Sequence, residues 1–63
     1  MLFEDVVLGD IYKDTITGII GTAMCKAEYL SGRHMVELQP TSPDNKTLIQ
    51  SSWIDVETLV VYK

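Results

Sequence analysis

The sequence predicts an all-β fold: one small five-stranded barrel spanning residues 1–63, with a one-turn 3₁₀ helix before the last strand. Three observations predict it. Side chains alternate with a period of two through Gly18–Leu30 and again through Arg33–Gln39, which is the period of a strand and not of a helix. Turn formers recur at Gly9-Asp10, Thr17-Gly18, Ser31-Gly32 and Pro40–Lys46, leaving room between them for short strands only. A length of 63 residues allows a single small domain.

Met1–Leu8 combines an apolar start, two acids and Val6-Val7-Leu8. It reads as a short edge strand or an apolar lead-in that covers one end of the barrel. Ile11–Ile16 has the β-branched and aromatic content of a strand. The central stretch, Gly18–Leu30, reads as one long bent strand. Its odd positions are Ile19, Gly21, Ala23, Cys25, Ala27 and Tyr29; they are expected to face inward, small groups suiting the narrow interior of a tight barrel. Its even positions include Lys26 and Glu28. A helix over Thr22–Leu30 is the rival reading, because Ala, Met, Lys and Glu are good helix formers. The apolar positions lack helical spacing, and Gly18 and Gly21 stand at its start, so the strand is preferred.

Ser31-Gly32 reads as a two-residue hairpin turn, with Gly32 able to adopt the positive φ such turns require. The return strand places Val36 and Leu38 toward the core and His34 at the inner rim. Pro40–Lys46 is a loop by its two prolines and its run of turn formers. Thr47–Ile54 reads as the next strand. Asp55–Thr58 reads as a single 3₁₀ turn capped by Asp55. Leu59–Tyr62 reads as a closing strand, apolar enough to be covered on both sides at its centre.

Composition narrows the function. A formal net charge of −4 argues against nucleic-acid binding, which rests on Lys and Arg neutralising phosphates. The chain has one Cys and one His, too few for an internal disulfide or a closed zinc site; no cofactor or metal is expected. No apolar run approaches the ~20 residues of a membrane span, and the start lacks a basic region ahead of an apolar one. A cytoplasmic protein with a reduced thiol is the expectation. A domain this small is marginal alone, so self-association into a homo-oligomer is expected to support it.

Two stretches and a turn carry a resemblance. Asp14-Thr-Ile-Thr-Gly-Ile-Ile-Gly-Thr-Ala23, then Ala27-Glu-Tyr-Leu-Ser-Gly32, then Trp53-Ile-Asp-Val-Glu57 resemble small uncharacterised phage and prophage proteins of SH3-like barrel fold. Those carry a T-G-x-x-G-x-A run, an E-Y-L-x-G turn and a late W-x-D segment. The likeness spans most of the chain and departs from the family at Ile19, Arg33 and Val56-Glu57. It implies a phage-encoded SH3-like barrel and brings no established activity. Gly18-x-x-Gly21 is also similar, more weakly, to the turn of KOW-type modules.

The candidate chemistry lies near one end. Tyr29 and Trp53 are the aromatics that a shallow groove could use to stack on a partner, although the inner-face parity of Tyr29 favours packing. Lys26, Glu28, Arg33 and His34 flank the hairpin turn. They read either as a phosphate site built from Lys26, Arg33 and His34 or as a solvated tip with a Glu28–Arg33 ion pair. Cys25, His34 and an acid do not make a nucleophilic triad, since Cys25 is expected inside as an inert small hydrophobe. The acids, Asp14 among them, show no metal-loop spacing and read as turn residues. No catalytic residue is expected. The function expected is that of a non-enzymatic phage accessory module, which binds a host or phage protein through an aromatic groove of Tyr29, Trp53 and Arg33, with Met24 and Met35 as adaptable contacts. The alternatives are an oligomeric sponge that sequesters a small nucleotide or signalling molecule, and a structural part of a virion.

Overall fold

A computed structural model describes residues 1–40 and 49–62 of the chain. In chain order its elements are a first 3₁₀ turn (Phe3–Asp5), β1 (Ile11–Asp14), β2 (Ile20–Glu28), β3 (His34–Gln39), β4 (Ser52–Asp55), a second 3₁₀ turn (Val56–Thr58) and β5 (Leu59–Val61). The five strands form one sheet in the order β4-β3-β2-β1-β5. Every pairing is antiparallel. The ladder ends at β4 and β5, and among the described residues no ladder joins these two edges.

The core lies on one side of this sheet. Val6, Tyr12, Ala23, Val36, Leu38, Ile54, Val56 and Leu59 are buried, with Met1, Phe3 and Ile19 packed against them. The alternation that defines the strands also selects these residues. Tyr12 and Asp14 are the buried positions of β1, and Val36 and Leu38 those of β3. The Tyr12 hydroxyl accepts from the Val7 N–H at 2.8 Å, which ties the N-terminal segment to β1. Gly21 on β2 lies where the backbone of Gln39 and Pro40 crosses closely. A Cβ built there would stand 2.8 Å from the Gln39 carbonyl carbon, so only glycine fits.

The inward alternation expected along Gly18–Leu30 holds for Ile19, Gly21 and Ala23 and then reverses. The register passes from Ala23↔Leu38 to Cys25↔Glu37, which leaves Met24 as the extra residue of a β-bulge. A bulge adds one residue and bends its strand. Beyond it the inward side carries Lys26, opposite buried Val36, and Glu28, opposite His34. Cys25 is exposed, and Tyr29 is 47% exposed, so neither packs inside as the unbroken alternation expects.

Other boundaries also differ from the sequence reading. Of the two readings of Met1–Leu8, the lead-in holds and the edge strand does not: the segment carries a 3₁₀ turn and no strand. β1 stops at Asp14 because that carboxylate turns to cap the following loop. The hairpin loop is longer than Ser31-Gly32: Gly32 N–H donates to Tyr29 C=O and Tyr29 N–H donates to Arg33 C=O, both at 2.8 Å, with Gly32 at φ +90°. This is the pattern of a three-residue loop closed by a glycine bulge. β4 spans Ser52–Asp55, so the expected strand residues Ile49, Gln50 and Ser51 lie outside it. β5 is half exposed at Val60 and Val61, since a strand at the sheet edge has a neighbour on one side only. The expected loop after Pro40 and the start of the expected fourth strand fall on residues 41–48, outside the described residues. The second 3₁₀ turn follows expectation, with Asp55 accepting from Glu57 N–H at 2.9 Å.

Asp14 departs furthest from its expected role as a surface turn acid. It is 2% exposed. Its carboxylate accepts from Thr17 N–H at 3.0 Å, Ile16 N–H at 3.4 Å, and the hydroxyls of Thr17 and Thr58. The Thr17 and Thr58 hydroxyls, aided by the two backbone amides, outweigh desolvation and lower its pKa from 3.8 to about 2. One buried charge thereby joins β1, the Thr15–Gly18 turn and the second 3₁₀ turn.

Candidate functional site

Pairing register fixes which side chains share the outer face of β2, β3 and β4. Val36, Leu38 and Ile54 point inward, so their strand neighbours point out. One outer row is Cys25–Glu37–Trp53, and the next is Ala27–Met35–Asp55. Tyr29, the residue after β2, continues this alternation opposite Arg33. Tyr29, Met35 and Trp53 therefore lie on one diagonal of one face. Tyr29 and Trp53 are 47% and 44% exposed. By strand geometry they stand about 13 Å apart along the strands, on either side of β3. They do not close into the groove expected of them, and neither concavity described below is lined by either ring. Glu37 is held on this face by Ser51, whose hydroxyl donates to it at 2.7 Å.

The charged residues around the hairpin form a second cluster, with Lys26, Glu28 and His34 on the inner rim and Arg33 with Asp55 at the hairpin end of the sheet. His34 Nε2 lies 2.6 Å from Glu28 Oε2. The Phe3 ring stacks on His34, with centroids 4.4 Å apart and planes 18° from parallel. Lys26 Nζ donates to Val6 C=O at 3.0 Å and to Phe3 C=O at 3.4 Å, and sits 4.8 Å from the Phe3 ring centroid. Arg33 pairs with Asp55 at 3.5 Å in place of the expected Glu28. Lys26, Arg33 and His34 thus flank one hairpin, but each is engaged within the molecule. Lys26 and His34 pin the N-terminal segment to the hairpin, and Arg33 ties the hairpin to the end of β4.

Sequence reasoning missed Phe3 and Asp55 as members of this cluster. The contact between Phe3 and His34 joins positions far apart in the chain, and no local pattern announces it. Asp55 was legible as a cap, and it serves both the cap and the ion pair to Arg33.

Concavities lie at either end of the described surface. One of about 210 Å³ lies between the first 3₁₀ turn, the hairpin loop and the second 3₁₀ turn, with Phe3, Arg33, His34 and Val56 in its wall. The other, about 360 Å³ and more open, lies between Gly9–Ile11 and Val61-Tyr62. Cys25 and His34 occupy opposite faces of the sheet, so they assemble no nucleophilic pair. Among the described residues, no group of three or more His, Cys, Asp or Glu is placed to hold a metal ion. No helix among the described residues is long and apolar enough to cross a membrane. Comparison with models of known protein families, with curated proteins and with solved structures returned no match.

Proposed function

We propose that this chain is a non-enzymatic binding module, an SH3-like small barrel of phage type, that holds a protein partner against the outer face of β2, β3 and β4. One observation carries the reading: Trp53 and Tyr29 are displayed nearly half exposed on the same face, with Met35 between them. Large aromatics on rigid strands offer apolar area at little entropic cost, and Trp and Tyr are enriched among residues that dominate interfaces. Met35, Met24 and Cys25 add polarizable contacts around them. The strand order, the bulged and bent β2 and the 3₁₀ turn before β5 support the barrel assignment. The resemblance of the sequence to small phage proteins supports a host or phage protein as the partner.

The test is reconstitution. A partner identified by affinity capture is purified, and its binding is measured against wild type, Trp53→Ala and Tyr29→Ala. Loss of at least about tenfold in affinity from a folded Trp53→Ala protein is expected of a central interface aromatic. Equal affinity for all three proteins overturns the proposed face. The nucleotide-sequestering alternative draws less support, because Lys26, Arg33 and His34 each already have an acceptor within the molecule.

A further inference from the structure

We propose that residues 1–5 form a pH-sensitive latch, closed when the His34 imidazole is protonated and loosened when that proton leaves. The segment is built for local opening. It carries a 3₁₀ turn and no strand, so no sheet ladder holds it. The anchor behind it is firm: Val6 is buried, Val7 N–H donates to the Tyr12 hydroxyl, and Lys26 Nζ donates to Val6 C=O. Ahead of Val6, among the described residues, the polar hold on the body is one long bond from Lys26 Nζ to Phe3 C=O at 3.4 Å. The rest is apolar: Met1 and Phe3 lie against the core, and the Phe3 ring stacks on His34. Opening at Val6 breaks few contacts and uncovers the part of the core that Met1 and Phe3 screen.

His34 is where the proton acts. When neutral, its ring shares a hydrogen bond with Glu28 at 2.6 Å and stacks on Phe3 at 4.4 Å. Protonation makes the first a charge-assisted bond, roughly twice as strong as a neutral one. It makes the second a cation over an aromatic face. The Glu28 bond fixes the imidazole in place, and the stack passes the gain to the segment. The other charged groups around His34 nearly cancel. Lys26 on β2 is a like charge, 4.8 Å from the centroid of the same Phe3 ring. Arg33 precedes His34 and pairs with Asp55. The N-terminal segment brings Glu4 and the Met1 amino group to the shared concavity, and the second 3₁₀ turn brings Glu57. Lys26, Arg33 and the amino group thus stand against Asp55, Glu4 and Glu57. Glu28 is in direct contact with His34, and it decides that protonation closes the latch.

The experiment follows amide exchange in the ¹⁵N-labelled full chain at about pH 5.5 and about pH 7.5, either side of the usual imidazole titration. Rates are corrected for the intrinsic pH dependence of exchange. The Asp5 and Val6 amides report the latch, since they donate to Leu2 C=O at 3.0 Å and Phe3 C=O at 3.2 Å within the turn. Their protection is expected to be about threefold higher at the lower pH, the lower end of what an exposed ion pair and a cation–π contact supply together. Protection at Ala23 and Val36 stays the same. In His34→Gln the difference between the two conditions disappears. In Phe3→Leu, which keeps an apolar side chain, it disappears while His34 still titrates. Equal protection of the wild type in both conditions, or a change as large at Ala23 and Val36, overturns the latch. So does a difference that survives in His34→Gln or in Phe3→Leu.

Discussion

Asp14 shows how one residue can hold several elements. A buried carboxylate is costly unless it is fully hydrogen-bonded, and Asp14 has four donors around it. Its folded pKa, lowered to about 2, sets the sign of a pH effect. The ionised form stabilises the fold fully above the unfolded value of 3.8, and this contribution is lost as pH falls through about 2. Urea titrations from pH 5 to pH 2 should therefore lose roughly 2 kcal/mol through this group alone. Asp14→Asn should be less stable at neutral pH and flatter across that window; parallel acid profiles for the two proteins would refute the assignment. Gly21 makes a different single-residue argument. Gly21→Ala drives a Cβ against the Gln39 backbone, which cannot swing aside like a side-chain tip. A loss of about 1–3 kcal/mol is expected, read as a lower melting temperature, and an unchanged melt would show that β3 yields freely.

At the scale of elements, the bulge at Met24 and the N-terminal lead-in are one device. The extra residue turns Lys26 to the inner side, where its stem lies against the sheet and its ammonium reaches two carbonyls of the N-terminal segment. Without the bulge Lys26 would face outward and the segment would lose this tether. Lys26→Met keeps most of the stem and removes the ammonium. Amide exchange at Val6 and Val7 should then quicken by about tenfold, the equivalent of ~1.4 kcal/mol for partly buried charge-assisted bonds. Exchange at Ala23 and Val36, in the centre of the sheet, should not change. A uniform acceleration would mean that Lys26 supports global stability and not the local tether.

At the scale of the molecule, the two faces of the sheet differ in burial. The inner face carries Val36 and Leu38 at 0% exposure, and Leu38→Ala should cost about 2–5 kcal/mol, a large share of what a domain this small possesses. The outer face carries Trp53 and Tyr29, and truncating either to Ala should leave the melting temperature within a few degrees, as surface changes cost little. If Trp53→Ala unfolds the protein, its ring serves packing and the outer face loses its claim as a docking surface.

Local signals in the sequence located β1, β2 and β3 and the turns between them, though not their bounds. Alternation marked β2 and β3, Gly and Asp marked the turns at Gly9-Asp10 and Thr17-Gly18, and Asp55 announced the cap, because each depends on neighbours a few residues away. The buried ends of β3 were also legible, since Val36 and Leu38 keep one parity throughout. What tertiary structure decided was everything past the extra residue at Met24: a single inserted position reverses every later side chain of its strand, and alternation alone cannot locate the insertion. That reversal moved Cys25 and Tyr29 outward and Lys26 inward. Asp14 became a buried anchor for the same kind of reason, because Thr58, which helps to ionise it, reaches it only after β5 has folded back beside β1.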